Sequence, residues 1–327
     1  MKITSNLYIS SPTNTMKIVK KHDLVLKKIY GQNFIIDTNV LKKIAGFAEL
    51  NKDDVILEIG PGIGSLTEIM MPEVKKIICI EIDKKFAEVF TEIFGRFIGD
   101  KIVFISKDAM KVDYEEICSF YSVNKLVSNL PYKIAAPVIL KILGETNRIE
   151  DFIATIQKDI ADRILAKPGD KNYNGATVKM NFFSEFCGGF GISKNCFYPK
   201  PHVDSETIHL RKWQRFLPTS ILNKIDVLVV GDLLKNNNLK RSFREDFFKF
   251  IEDSFSHRRK KLINSLIISD RYYFEHQQEI LQALTFINKD KDIRPEELSL
   301  EEYLTVFILT SQMYKYFFEW KGFERNK

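Results

Sequence analysis

The chain has 327 residues, 45% of them hydrophobic and 28% charged, and carries a net charge of +6. That is the composition of a soluble globular protein long enough for one large core and a smaller second domain. No run approaches the roughly 20 apolar residues of a membrane span, and four cysteines without a Cys-x-x-Cys pair argue against a disulfide framework or a zinc site.

The N-terminal stretch has no continuous apolar segment and no arginine before Arg96. Neither a secretory signal nor a mitochondrial transit peptide is expected, and the reduced cysteines fit the cytoplasm. Met16 opens Met-Lys-Ile-Val-Lys-Lys and is an alternative start, with the residues before it expected to be disordered. Residues 17–30 are lysine-rich with scattered apolar positions, so residues 1–30 read as a basic arm, extended or forming a short helix. In Gly31-Gln32-Asn33-Phe34-Ile35-Ile36-Asp37, Asp37 is placed to cap a helix running to about Leu50, whose apolar stripe is Val40, Leu41, Ile44, Ala45 and Phe47. Gln32 and Asn33, just ahead of it, either hydrogen-bond a ligand or close a turn.

Val55–Ile59 is a short apolar strand followed at once by Gly60-Pro61-Gly62-Ile63-Gly64, with a helix opening at Ser65. A glycine-rich turn between strand and helix lets backbone approach a ligand closely. Residues 76–82 form the next strand, ending near Glu81 and Asp83, where an acid can take a ribose hydroxyl pair. Residues 102–106 are a third strand with Asp108 just past its end, 125–129 a fourth and 151–157 a fifth, with helical patterns between them. Strands alternating with helices predict a parallel doubly wound α/β sheet. Ligand-facing candidates fall at four successive strand ends: Gly60, Glu81, Asp108 and Asn129. At the last of these, Asn129-Leu130-Pro131-Tyr132 is a stiff lip, because Pro131 has no N–H to continue a ladder and biases Leu130 toward extended backbone.

Residues 159–166 are helical in pattern, and 167–175 are a polar loop, either a connector or a flap over the site. Phe197 lies in a stiff aromatic and proline-rich segment leading into a last strand at 207–210. The pattern changes at 213–218, and from about Thr219 only helical periodicity remains, with polar breaks at 236–238 and 289–292. This predicts a catalytic domain over 31–213 and an all-helical domain over 214–327. The latter holds a run of four cations, Arg258, Arg259, Lys260 and Lys261, whose mutual repulsion favours a phosphate backbone nearby.

These residues resemble the KsgA-type small-subunit ribosomal RNA adenine dimethyltransferases, relatives of the Erm methyltransferases. The match runs from about Lys28 through Gln32-Asn33-Phe34-Ile35, the Glu58–Thr67 glycine motif, Glu81, Asp108-Ala109-Met110, Asn129–Tyr132 and Phe197–Ser205, and continues with Phe255–Lys260 and Arg294–Ser299. Ile35 stands where the family has Leu, and the segment before Arg258 is longer and more polar than usual. The resemblance implies a Rossmann-like class I methyltransferase sheet with a smaller helical C-terminal domain, and S-adenosyl-L-methionine as cofactor with no metal. Carried over, Asn33, Ile35, Gly60, Glu81, Asp108 and Asn129 bind the cofactor. Asn129 and Leu130 aim the target amine, Pro131 fixes the lip, and Tyr132 and Phe197 hold the extruded base. The implied activity is dimethylation of N6 on two adjacent adenines in a hairpin loop near the 3′ end of small-subunit rRNA. A monomer is expected, docking on the small ribosomal subunit through Arg258–Lys261. The alternatives are an Erm-like enzyme on large-subunit rRNA and a non-catalytic ribosome-assembly factor. A nicotinamide dehydrogenase shares the glycine loop but has no use for Asn129–Tyr132.

Overall fold

The computed structural model describes residues 9–24, 33–214, 237–257 and 259–310. Its elements in chain order are α1 (Pro12–Lys21), β1 (Phe34–Ile35), α2 (Thr38–Phe47), β2 (Val55–Ile59), α3 (Ser65–Met70), β3 (Lys76–Glu81), α4 (Lys84–Phe94), β4 (Ile102–Ser106), α5 (Tyr114–Tyr121), β5 (Lys125–Asn129), α6 (Ala135–Glu145) and β6 (Asp151–Gln157). There follow α7 (Lys158–Ile164), α8 (Gly175–Phe183), β7 (Ser184–Ile192), β8 (Phe197–Tyr198) and β9 (Ser205–Lys212), then α9 (Asn237–Phe255), α10 (Leu262–Ser269), α11 (Arg271–Glu275), α12 (Gln277–Phe286) and α13 (Leu300–Thr310).

A seven-stranded sheet in the order β4-β3-β2-β5-β6-β9-β7 forms the frame. Its first five strands are parallel. Residues of β2 and β3 are buried almost without interruption, as strands covered on both faces must be. Helices start where the sequence offers caps: the Asp37 carboxylate accepts from the backbone N–H of Asn39 and Val40, and Asp83 and Asp113 cap α4 and α5 in the same way.

Four features depart from the sequence reading. The sheet is not wholly parallel, because β9 runs antiparallel to β6 and β7 antiparallel to β9. Strand β7 was not expected: it carries Gly188, Gly189 and Gly191, a residue type depleted in strands. Gly189 is required there, since a Cβ would sit 2.6 Å from the Thr207 carbonyl oxygen.

The domain limits also differ. One compact unit runs to Ala161 and takes in Ser184–Lys212; the other joins Asp162–Phe183 to the chain from Trp213 onward. Residues 162–183, assigned from sequence to the catalytic domain, thus belong to the helical unit. The reason is apolar packing: Phe182 and Phe183 of α8 meet Phe247 and Phe248 of α9, with ring centroids 5.5 Å apart for Phe182–Phe247. Within that unit, the 167–175 loop is tied down by hydrogen bonds. The Tyr173 hydroxyl is buried and donates to the Leu298 carbonyl at 2.9 Å, while the Gly169 N–H donates to the Glu296 carbonyl at 2.7 Å.

Finally, residues 9–15, expected to be disordered, are folded against the sheet unit. Ile9 and Thr15 are buried, the Ile9 N–H donates to the Glu68 carboxylate at 2.8 Å, and α1 is tied to α4 by a Lys21–Glu92 ion pair.

Candidate active site

Because the parallel strands point the same way, their C-terminal ends bring residues distant in sequence onto one rim. A cavity of about 320 Å³ opens there, the size range of small-molecule sites. All six expected cofactor residues, Asn33, Ile35, Gly60, Glu81, Asp108 and Asn129, line it, as do Leu130 and Pro131.

Each is held by a local device. Gly60 adopts a positive φ of 67°, and a Cβ there would lie 2.9 Å from the Pro131 ring, so the glycine turn and the lip press directly on one another. Gly62 has φ of 58°, with Phe34 where its side chain would be. Glu81 Oε1 accepts from the N–H groups of Ile82 and Asp83 at 2.9 and 3.0 Å, which fixes the carboxylate at the strand end. Burial nonetheless holds its pKa above the usual carboxylate range. Asp108 is oriented in the same manner by the Met110 N–H at 2.9 Å.

Asn129 is the most constrained. Its Nδ2 donates to the Asn33 backbone carbonyl at 2.9 Å. A carbonyl only accepts, so this hydrogen bond fixes which end of the amide is nitrogen. The remaining end, Oδ1, is buried and has no hydrogen-bond partner. Buried acceptors are nearly always satisfied, and an orphan in a cavity wall marks a place prepared for a donor. The carbonyl that sets this orientation belongs to the segment leading into β1, which is itself pinned by antiparallel pairing with β8, Ile35 opposite Phe197 and Phe34 opposite Tyr198.

Two expected base-holding residues do not line the cavity. Phe197 is 2% exposed and packed in the core, so it acts on the site by bracing β1. Tyr132 is 8% exposed, and its hydroxyl is paired with the Ser205 hydroxyl at 2.8 Å. At these exposures neither ring offers an open face to a base.

The cavity also takes in residues to which no role was assigned from sequence, chiefly Glu58, Ser65, Phe86, Lys107 and Lys133. Glu58 is fully buried; it accepts from the Thr67 hydroxyl at 2.6 Å, and burial pushes its pKa up to about 8. Lys107 and Lys133 are exposed cations at the mouth. Ser65 directly follows the last loop glycine, and that adjacency is the signal from which its place in the wall could have been read.

In the helical unit, Arg259, Lys260 and Lys261 of the cationic run lie in the turn between α9 and α10. Arg259 and Lys260 are exposed, Lys261 pairs with Asp292 at 2.7 Å, and Arg258 lies outside the described residues. Among the described residues, no helix is long and apolar enough to cross a membrane, and no group of three or more His, Cys, Asp or Glu side chains is placed to hold a metal ion.

Comparison with known proteins agrees with this geometry. The family model described as ribosomal RNA adenine dimethylase matches residues 24–312. A protein of Natranaerobius thermophilus named ribosomal RNA small subunit methyltransferase A is 32% identical over 323 residues, covering 94% of this chain and 98% of its own. One of the same name from Anoxybacillus flavithermus is 31% identical, covering 95% and 98%. Among solved structures, a dimethyladenosine transferase from Plasmodium falciparum superposes with a TM-score of 0.62 at 21% identity, covering 85% of this chain and 97% of its own. The 23S rRNA methyltransferase ErmE does so with a TM-score of 0.55 at 20% identity, covering 85% and 99%. At those identities the structures speak for the fold, a Rossmann-like methyltransferase sheet, while the family match spans nearly the whole chain. The chain belongs to the ribosomal RNA adenine dimethylase family.

Proposed function

We propose that the cavity binds S-adenosylmethionine and that the protein dimethylates the N6 amine of two adjacent adenines in small-subunit ribosomal RNA. The observation that carries this reading is the Asn129 amide, with its nitrogen committed to Asn33 and its oxygen buried and unpartnered.

The wall fits the cofactor. Neighbouring parallel strands lie about 4.8 Å apart, so the four ends of β4, β3, β2 and β5 present Asp108, Glu81, Gly60 and Asn129 along a line of about 15 Å. Asp108 suits an adenine amine and Glu81 a ribose diol. When bound, the cofactor supplies an electrophilic methyl whose bond to sulfur breaks, its electron pair going to sulfur, as the new bond to nitrogen forms.

The residues of the chain do the rest by position. An exocyclic adenine amine is a poor nucleophile because its lone pair is delocalised into the ring. Asn129 Oδ1, and beside it the Leu130 carbonyl, accept the two N–H bonds and turn the lone pair out of the ring plane toward the methyl. Pro131 keeps that pair of acceptors from drifting. No strong base is required before attack, since the nitrogen becomes acidic only as the bond forms and then releases one proton to solvent. Positioning of this kind is worth effective molarities of about 10⁵ M or more. A second round needs a second cofactor. Tyr132 and Phe197 hold the flipped base only if their present packing opens, so their part in this reading is to support the lip and β1. Lys107 and Lys133 at the mouth suit an RNA substrate. Arg258–Lys261 is the docking run on the helical unit, and a monomer acting in the cytoplasm is sufficient.

Purified protein is incubated with methyl-labelled cofactor and, separately, undermethylated small and large ribosomal subunits. Label recovered as dimethyladenosine in the small subunit supports the reading. Label confined to the large subunit supports an Erm-like enzyme, and no label in either supports an assembly factor.

A further inference from the structure

The lip that follows β5 is attached at each of its four residues. Asn129 Nδ2 donates to the Asn33 carbonyl, and the Leu130 N–H donates to the Thr155 carbonyl of β6 at 3.0 Å. The Pro131 ring lies where a Cβ on Gly60 would come within 2.9 Å of it. The fourth attachment is the buried hydroxyl pair of Tyr132 and Ser205. Ser205 is fully buried and opens β9, facing Gln157 of β6 on one side and Ile192 of β7 on the other. A side chain on a strand paired along both edges is a rigid anchor. In the strand order β5-β6-β9 the Tyr132 phenol reaches that anchor across the end of β6. Holding a base would use the Tyr132 ring and leave this oxygen without a part in the reaction.

The Leu130 carbonyl, one of the two acceptors of the target amine, lies between the Leu130 N–H and the Tyr132 side chain. The N–H fixes where that stretch of backbone starts. Pro131 fixes φ at its own residue but leaves the bonds on either side of it free to turn, so the far end must be held as well. We propose that Ser205 is a positioning residue for methyl transfer: through the Tyr132 hydroxyl it holds the far end of the lip and keeps the Leu130 carbonyl aimed at the amine. A misplacement of about 1 Å in a positioning group can cost about 10²-fold in rate. The cofactor meets Asp108 and Glu81 at the ends of β4 and β3, so the effect falls on transfer and not on cofactor binding.

This rests on the reading of the site as an adenine N6 methyltransferase, and the test separates the two. Full-length protein carrying Tyr132→Phe, Ser205→Ala or both is assayed for single-turnover transfer of labelled methyl to undermethylated small subunits and titrated with S-adenosylhomocysteine. Tyr132→Phe keeps the ring and removes only the oxygen. Each single variant is expected to lose about tenfold or more in rate, with S-adenosylhomocysteine affinity unchanged within about twofold. The double variant is expected to lose no more than the larger single loss, since either change breaks the same bond. Thr207→Val is the control for stability alone, because it breaks the neighbouring buried hydroxyl pair, Thr155–Thr207 at 2.8 Å. It is expected to lower the melting temperature as the others do and to leave the rate unchanged within about twofold. Undiminished rate in either single variant, losses that add in the double variant, or an equal loss in Thr207→Val overturns the proposal. If the wild-type protein does not label the small subunit, the methyltransferase reading itself fails and takes the proposal with it; if it does and only the variants behave unexpectedly, that reading stands and the role of Ser205 falls.

Discussion

Replacing Asn129 by alanine removes two polar groups with different consequences. The first is Nδ2, which donates to the Asn33 carbonyl. Losing it removes the hydrogen bond that ties the amide to this carbonyl, a cost of about 0.5–1.5 kcal/mol to stability. The second is the acceptor Oδ1, which has no partner in the free protein and so contributes nothing to its stability. Its value arises during reaction, as the amine nitrogen turns positive and its N–H bonds become charge-assisted. One such bond is worth about 1.5–3 kcal/mol, or a factor of roughly 10 to 150 in rate. Losing the alignment it enforces brings the expected fall in single-turnover rate to about 10²–10³-fold. S-adenosylhomocysteine affinity should change by less than about tenfold, because Asp108 and Glu81 carry that binding. The assay is single-turnover transfer of labelled methyl to undermethylated small subunits, paired with calorimetric titration of S-adenosylhomocysteine. Undiminished turnover, or an affinity loss as large as the rate loss, would refute the role given to Oδ1.

Glu81→Ala should reverse that pattern, weakening S-adenosylhomocysteine by at least about tenfold while the rate at saturating cofactor falls less; titration and saturation kinetics compare the two. Glu58 titrates at about 8 in the folded protein against 4.5 for an ordinary glutamate, so the folded state keeps a proton that the unfolded chain gives up. Its contribution to stability is complete below pH 4.5 and is lost as pH rises through 8. Glu58→Gln, which stays neutral, should flatten the decline between those limits in denaturant titrations, and an unchanged slope would contradict the assignment. Gly60→Ala forces a side chain against Pro131 at a φ of 67°, and should lower stability by about 1–3 kcal/mol in the same titrations. Neutralising Arg258, Arg259 and Lys260 should weaken small-subunit binding and reduce its salt slope by about one for each phosphate no longer neutralised. Neutralising Lys261 alone should do less, because Asp292 already shares its charge; a loss of S-adenosylhomocysteine binding instead would make the run structural.

The central sheet and its rim were legible because buried parallel strands read as short unbroken apolar runs, and because glycine, acid and amide fall directly after them. Val55–Ile59, Ile102–Ser106 and Lys125–Asn129 have the bounds read from sequence. Strand β7 was not legible, since its pairing depends on glycines fitting beneath β9 and not on a pattern of its own. The allegiance of residues 162–183 was hidden for a related reason: an apolar helix stripe announces that it will be buried but not against what. At the site, residue types picked out a set of side chains that the fold gathers around one cavity, but the orientation of Asn129 depends on a backbone carbonyl 96 positions away. The burial of Tyr132 and Phe197 likewise depends on strands that meet only in the folded chain.

The pinning of β1 by β8 has a consequence for the life of the protein. The carbonyl that orients Asn129 is held by a two-residue ladder whose second strand ends at Tyr198. During synthesis the strands β2 to β5 emerge first, yet the Asn129 amide acquires its direction only after Phe197 and Tyr198 have left the ribosome and paired. Competence therefore comes as a late event, and a chain truncated after β5 carries Asn129 without the brace that aims it.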